Sequence, residues 1–303
     1  MKPAALLWIA LIALPIAEVA LHFRARAAVP SQGDWQKAAA FVRSELRPRD
    51  LITSAPKWTD PQLRAVLGDR IDPAMAGRSD TEAYERLWVL GIRGASAPEE
   101  PGSTPLVTKR FGHVTVARFE LGRATVQHDL VDRVARADAE VSVGTRACAF
   151  KPGELPRGGG LGAGVLPPRE RFQCDGAGAG GTWVAAVVME DLAIQPRHCV
   201  RQPPGVGAPT RVLLRDVELS DRLVFYGGLY YEHERMRKGA PVVVTVLAHD
   251  QPLGKLTHHD GDGWKKLELK TRPGRADIAI EVAATSRKQR HFCWSASVRT
   301  GDR

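Results

Sequence analysis

From Arg211 to Val298 the chain reads as one β-type run after another, and this leaves few folds open. Val242 to Leu247 is β-branched and apolar. Over Lys265 to Lys270, Leu267 and Leu269 fall on one side, and Lys266, Glu268 and Lys270 on the other. Ile278, Ile280 and Val282 alternate with Asp277 and Glu281, and Phe292, Trp294, Ala296 and Val298 keep the same period of two. His249 to Pro252, Asp260 to Gly263 and Arg272 to Gly274 supply turns between the runs. Several short strands with no helical period predict an antiparallel β-sandwich, jelly-roll-like, spanning roughly residues 138–300. Two such sheets bury their apolar faces against each other. Trp294 alternates with Phe292, so it belongs to the core.

At 303 residues there is room for a second unit before the sandwich. Asp34 reads as the cap of a helix through Leu46, with Trp35, Ala38, Val42 and Leu46 three and four apart. Leu51 to Thr53 reads as a buried strand. Thr59-Asp60-Pro61 opens a second helix, with proline where no amide hydrogen is needed, and Gly68 closes it. Ser79-Asp80 reads as the start of a third helix, and Leu87 to Leu90 and Val114 to Ala117 as strands. This alternation predicts a small α/β unit over residues 34–120. A short helix is expected over Asp129 to Ala137, then strands over Glu140 to Thr145 and Trp183 to Met189.

Pro3 to Leu21 is apolar apart from Glu18 and follows Lys2. That length suffices to span a bilayer, so residues 1–27 read as a membrane anchor, with a signal segment cut near Ala25-Arg26-Ala27 as the alternative. Arg24 and Arg26 outnumber Lys2, which argues for a cytoplasmic body. The cysteines argue the other way. Four of them in an exported chain suggest two disulfides, with three pairings open. Cys148 and Cys174 bracket a Gly- and Pro-rich segment over residues 152–181, and a bond between them would tether that loop. Cys199 and Cys293 would then pair, tying the entry of the sandwich to its last strand. The expected location is membrane-anchored, on the periplasmic or extracellular face.

The net charge of +9 is spread along the chain without a basic stripe and stacking aromatics, so nucleic-acid binding is not expected. Gly176 to Gly181 satisfies G-x-G-x-x-G but opens no helix, and a flexible loop is the reading. His258-His259-Asp260-Gly261-Asp262 reads as a turn and not as a metal site, because adjacent side chains on an extended strand point apart. No metal and no cofactor are expected. No G-x-S-x-G or H-E-x-x-H occurs. Glu232 and Glu234, two apart on an expected strand, are the weak catalytic candidates, at a spacing compatible with glycoside hydrolysis. Trp264 falls on the polar side of its strand, where an indole can stack on a sugar ring. Tyr230 and Tyr231 are the residues expected to join it.

Two resemblances bear on these readings. Asp34 to Val42, followed by Arg49-Asp50-Leu51-Ile52, resembles the opening of the extracytoplasmic soluble region in bacterial polyprenyl-phosphate-dependent glycosyltransferases of the dolichyl-phosphate-mannose-protein mannosyltransferase type. Those enzymes carry many membrane helices and an acidic residue in their first external loop. Residues 22–33 here contain no carboxylate. The resemblance therefore implies a relative or partner of that system, without transferase activity. Residues 140–298 are similar in pattern to jelly-roll carbohydrate-binding modules, a likeness of fold. The combined expectation is a non-catalytic module that binds envelope glycans or assists a membrane glycosyltransferase. A glycan-active enzyme using Glu232 or Glu234, and a structural protein-interaction module, are the alternatives.

Overall fold

The computed structural model describes residues 3–27, 29–153, 167–174 and 182–301. The chain divides into two units, Met1–Ile71 with Tyr84–Gly122, and Asp72–Ala83 with Arg123–Arg303. The glycines at 176–181 and most of the loop around them lie outside the described residues.

The N-terminal apolar stretch forms helix Pro3–Ala27. Among the described residues, however, no helix is long and apolar enough to cross a membrane, and the expected membrane anchor is corrected on that finding. Glu18, His22, Arg24 and Arg26 crowd the later turns, and each charge is expensive in hydrocarbon.

In the first unit four strands lie in the order Asp50–Ala55, Arg86–Ile92, Val114–Glu120 and Val107–Phe111. The first pair is parallel and the others antiparallel. Helix Gln32–Glu45 buries Trp35, Ala38, Ala39 and Val42, the residues whose spacing marks its apolar side. It begins earlier than expected, because Ser31 is the cap and Asp34 the third helical residue. The Asp34 amide donates to Ser31 Oγ at 3.2 Å, and the Ser31 amide donates to Asp34 Oδ2 at 3.0 Å. Helix Asp60–Leu67 has its proline in the first turn and stops at Gly68. Arg86 donates to both oxygens of Asp50, at 2.7 and 2.5 Å, and Trp88 Nε1–H donates to the same carboxylate at 2.8 Å. All three side chains are buried, so the charges are both paired and hydrogen-bonded.

The second unit is a β-sandwich. One sheet runs Lys265–Lys270, Arg222–Leu229, Phe292–Arg299, Pro196–Arg201, Thr182–Glu190, Arg171–Cys174, Ala149–Lys151, with Val126–Asp129 also paired to Phe292–Arg299. The other runs Gln251–His258, Val242–Ala248, Gly274–Ala284, Thr210–Leu219, Glu140–Val143, Arg146–Ala147. Every pairing between these strands is antiparallel. The interior takes Val212, Leu214, Ile278, Ile280 and Val282 from one sheet, and Val200, Leu223, Phe225, Phe292, Trp294 and Val298 from the other. Trp294 Nε1–H donates to Gln202 Oε1 at 2.7 Å, and the Gln202 amide donates to the Thr210 and Ile280 carbonyls at 2.7 and 2.9 Å. This buried polar tie links the two sheets with each partner satisfied. Of the three pairings left open, the one that tethers the loop forms, Cys148–Cys174 with Cys199–Cys293.

Two local expectations fail. Ser79-Asp80 starts no helix, and the only helical turn in this segment is the four-residue Pro73–Ala76. The side chains of Ser79, Asp80 and Glu82 bond to the sandwich instead, so tertiary contacts override local preference. Tyr231–Arg235 is a short helix and not a strand. It contains no β-branched residue, and Glu, His and Arg are tolerated in a helical turn.

Candidate functional site

Alternation decides which side chains leave the core of the first sheet. Leu223, Phe225 and Leu229 point inward, which puts Tyr226 and Gly228 on the outer face, with Tyr230 following on the same side. Phe292, Trp294 and Ala296 point inward, so His291, Cys293, Ser295 and Arg299 point out. Val200 points inward, leaving Arg197, Cys199 and Arg201 outside. The strand register sets Cys293 beside both Arg201 and Gly228. The Cys199–Cys293 bond therefore lies in the middle of this face.

Met189 joins the disulfide, and Val187, Tyr230 and Trp264 pack against the pair. Trp264 lies over Gly228, where a Cβ would come within 2.7 Å of the indole Cε3. Its Nε1–H donates to Ser79 Oγ at 3.4 Å, and the Arg197 guanidinium sits 5.6 Å from the ring centroid. Trp264 is thus half-buried and immediately precedes strand Lys265–Lys270, whose bounds are those read from the sequence. Tyr230 and Tyr231 meet edge to face at 4.8 Å. Beyond them, His233 is 5.7 Å from Tyr230 and 4.6 Å from His291. Arg201 stacks over Trp183 at 3.8 Å and donates to the Trp183 carbonyl at 2.9 Å.

The electrostatics of this patch are set by burial. Burial and the neighbouring Glu232 and Tyr231 push the Tyr230 phenol up to about 12. Burial, then Arg201 and His233, pulls His291 down to about 3. Burial also lowers His233. Both imidazoles are neutral at neutral pH, and each keeps a buried Nδ1 without a partner among the described residues. A histidine with a depressed folded pKa takes up protons more readily once unfolded, so stability falls as pH drops below about 6.5 and keeps falling towards about 3. The loss expected from His291 alone is about 2 kcal/mol by pH 5. Urea melts of wild type and His291→Asn between pH 7.5 and pH 5 measure it, and equal slopes in the two proteins would refute the assignment.

The two glutamates part company. Glu234 is fully buried and accepts from the Gly263 amide at 2.6 Å. Burial raises its pKa. His258, also fully buried, donates from Nε2 to the Gly263 carbonyl at 2.8 Å, and burial lowers its pKa. Both groups pin the hairpin that carries Trp264. Glu232 is half-buried and accepts from the Tyr231 hydroxyl at 3.2 Å. The pair does not present two carboxylates to one ligand. In the hairpin, Asp260 is paired with buried Arg290 and Asp262 with Lys265 at 2.9 Å.

Asp72–Ala83 borders the same outer face. The His198 amide donates to the Gly77 carbonyl at 2.6 Å, and Ser79 Oγ lies 2.6 Å from Ser295 Oγ. Tyr226 donates to Asp80 at 2.7 Å, while Arg222 reaches Glu82 at 2.8 Å. Arg299 is ion-paired with Asp80 at 2.8 Å and Glu82 at 3.2 Å. Burial pushes Glu82 up, but the Thr125 hydroxyl and the two arginines outweigh it and hold the carboxyl low.

Sequence reading brought Trp264, Tyr230 and Tyr231 to this place. It missed Arg201, His233, His291, Trp183 and the bordering segment. The available signal was the inward pattern of Val200 and Trp294, which puts Arg201 and His291 on the side of the two cysteines.

No protein-family model matches the chain, and no curated protein matches it. Among solved structures, similarity is found to the CBM51-2 module in complex with GlcNAc and the INT domains of Clostridium perfringens ZmpB, with TM-score 0.36 and 11% identity over 64% of this chain and 36% of that one. A CBM51 from Clostridium perfringens GH95 in complex with methyl-galactose gives TM-score 0.30 and 10% identity, over 52% of this chain and 92% of that one. The C-terminal CBM6 of the laminarinase LamC from Zobellia galactanivorans gives TM-score 0.26 and 9% identity, over 38% and 87%. At such TM-scores, ligand and chemistry have to come from this chain's own residues. None of these matches supports the glycosyltransferase resemblance of residues 34–52.

Proposed function

We propose that the outer face of the larger sheet binds glycans without catalysing a reaction on them. One observation carries this reading: Trp264 and Tyr230, both half-buried, are held against a buried disulfide, with Tyr231, His233 and His291 adjoining. The C–H face of a sugar packs on such rings, and imidazole and phenol groups alongside offer donors and acceptors to its hydroxyls. Because the rings are already fixed, little side-chain freedom is lost on binding. The two disulfides support a location outside the reducing cytoplasm, at the periplasmic or extracellular face. A narrower form of the proposal has the chain assist a membrane glycosyltransferase partner, which in-cell cross-linking would recover.

The test is an array of immobilised glycans probed with the full chain. Trp264→Ala is expected to weaken binding by about tenfold or more, the loss of one stacked aromatic of about 1.5 kcal/mol. Gly228→Ala is a second expected result, because its methyl group must lift the indole from its seat. It should weaken the same glycans while leaving the fold intact by circular dichroism. Retained binding in both variants, or no glycan bound by the wild type, would remove the reading.

A further inference from the structure

Arg201 is out of keeping with three other buried arginines of this unit. Arg222 and Arg299 each face a carboxylate, and Arg290, at the loop end of the sandwich, is closed by Asp260. Arg201 is equally buried, 7% exposed, and among the described residues no carboxylate pairs with it. A guanidinium has five N–H donors. Of these one reaches the Trp183 carbonyl, and among the described residues the buried Nε–H has no partner. Burial alone depresses its pKa to about 9, which measures how poorly the charge is compensated. A charge buried in this way is strongly unfavourable unless something completes it.

Its surroundings are those of the proposed glycan face. Arg201 sits over Trp183, beside Cys293 in the register, and its charge is felt by His291. His291 meets His233 and feels the charge of Arg201, while His233 feels those of Glu232, Arg290 and Asp260. Asp260 is committed to Arg290, and Glu232 accepts from Tyr231, so neither carboxylate neutralises Arg201.

We propose that the glycan bound here is acidic, its anionic substituent, a carboxylate or a sulfate ester, resting against Arg201 beside His291 while a ring stacks on the aromatic floor. This rests on the glycan-binding reading and narrows it. The planar fork of a guanidinium suits a carboxylate or sulfate, and desolvation strengthens the contact. The arriving negative charge also raises the proton affinity of His291 and His233, so binding takes up protons as pH falls towards the depressed range of His291.

The experiment titrates the full chain with hyaluronate, chondroitin sulfate and polygalacturonate, against fully methyl-esterified pectin and galactan as neutral partners, at about 150 mM salt to screen the general positive charge. At least one acidic polymer is expected to bind about tenfold or more tightly than the neutral ones, and the hyaluronate and chondroitin sulfate arms separate carboxylate from sulfate. Arg201→Gln should remove that preference. Arg272→Gln, which deletes an exposed arginine from a distant turn, should change affinity by about twofold or less. Calorimetry of the wild type in two buffers at about pH 4.5 gives a readout that needs no variant, with net proton uptake expected on binding an acidic polymer. Equal affinity for acidic and neutral glycans without proton uptake would overturn the proposal and leave the glycan-binding reading standing. Failure to bind any glycan would remove both. An Arg201→Gln protein that is folded and keeps the preference would place the anion elsewhere and refute the assignment.

Discussion

Replacing both Cys199 and Cys293 with serine is expected to cost about 4–5 kcal/mol, the largest loss from any single cross-link here. The bond closes 94 residues of chain, against 26 for Cys148–Cys174, whose removal should cost about 3.5 kcal/mol. Longer closures remove more freedom from the unfolded chain, which sets the order. Cys199 and Cys293 are also fully buried, so the serine hydroxyls would enter an apolar cluster with Met189. For a unit of this size the melting temperature should fall by roughly 10–18 °C. Thermal melts of the two serine double mutants, each with and without reductant, test the order. A larger loss from the Cys148 and Cys174 pair would contradict it. Glycan retention should weaken well below the melting temperature in the Cys199 and Cys293 variant, because Tyr230 and Trp264 rest on that bond.

Asp50→Ala should be nearly as damaging in the α/β unit, at about 3–5 kcal/mol. Its carboxylate accepts two bonds from Arg86 and one from the Trp88 indole, in a site where all three residues are buried. Removing it strands a guanidinium and an N–H away from water. Asp50→Asn should lose somewhat less, since the amide oxygen still accepts one of the three bonds. Hydrogen exchange of the Asp50–Ala55 and Arg86–Ile92 amides reports on this directly. Protection factors unchanged in Asp50→Ala would show that the pair contributes nothing to holding the two strands.

The legible parts of the chain were those governed by short-range period. Phe292, Trp294, Ala296 and Val298 pointed inward on alternation alone, and so did Ile278, Ile280 and Val282. The loop bracketed by Cys148 and Cys174 favoured one of the three disulfide pairings without deciding it, because the other partners are brought together only by long-range strand pairing. The candidate site was legible only as three aromatics. Trp264 was read as a solvent-facing ring, whereas Gly228 and the Cys199–Cys293 cluster take one side of it. Neither contact is close in sequence. Arg201 and His291 needed the register between strands, which sets Arg201 opposite Cys293 and is decided by long-range pairing. The glutamates misled because Tyr231–Arg235 was taken as extended, and a helical turn sends Glu234 inward to Gly263. The N-terminal stretch misled because length was weighed above the charges in its last turns.

The bordering segment Asp72–Ala83 bears on how this protein can be taken apart. It is encoded between stretches of the α/β unit, yet its hydrogen bonds run to Tyr226, Ser295, Arg222 and His198. A fragment that begins at residue 123 would therefore be a sandwich missing a piece of itself, with Arg222 and Arg299 stripped of Glu82. Shuffling this module between genes as a single cassette is ruled out on the same ground, because no one cut point in the coding sequence separates the two folds.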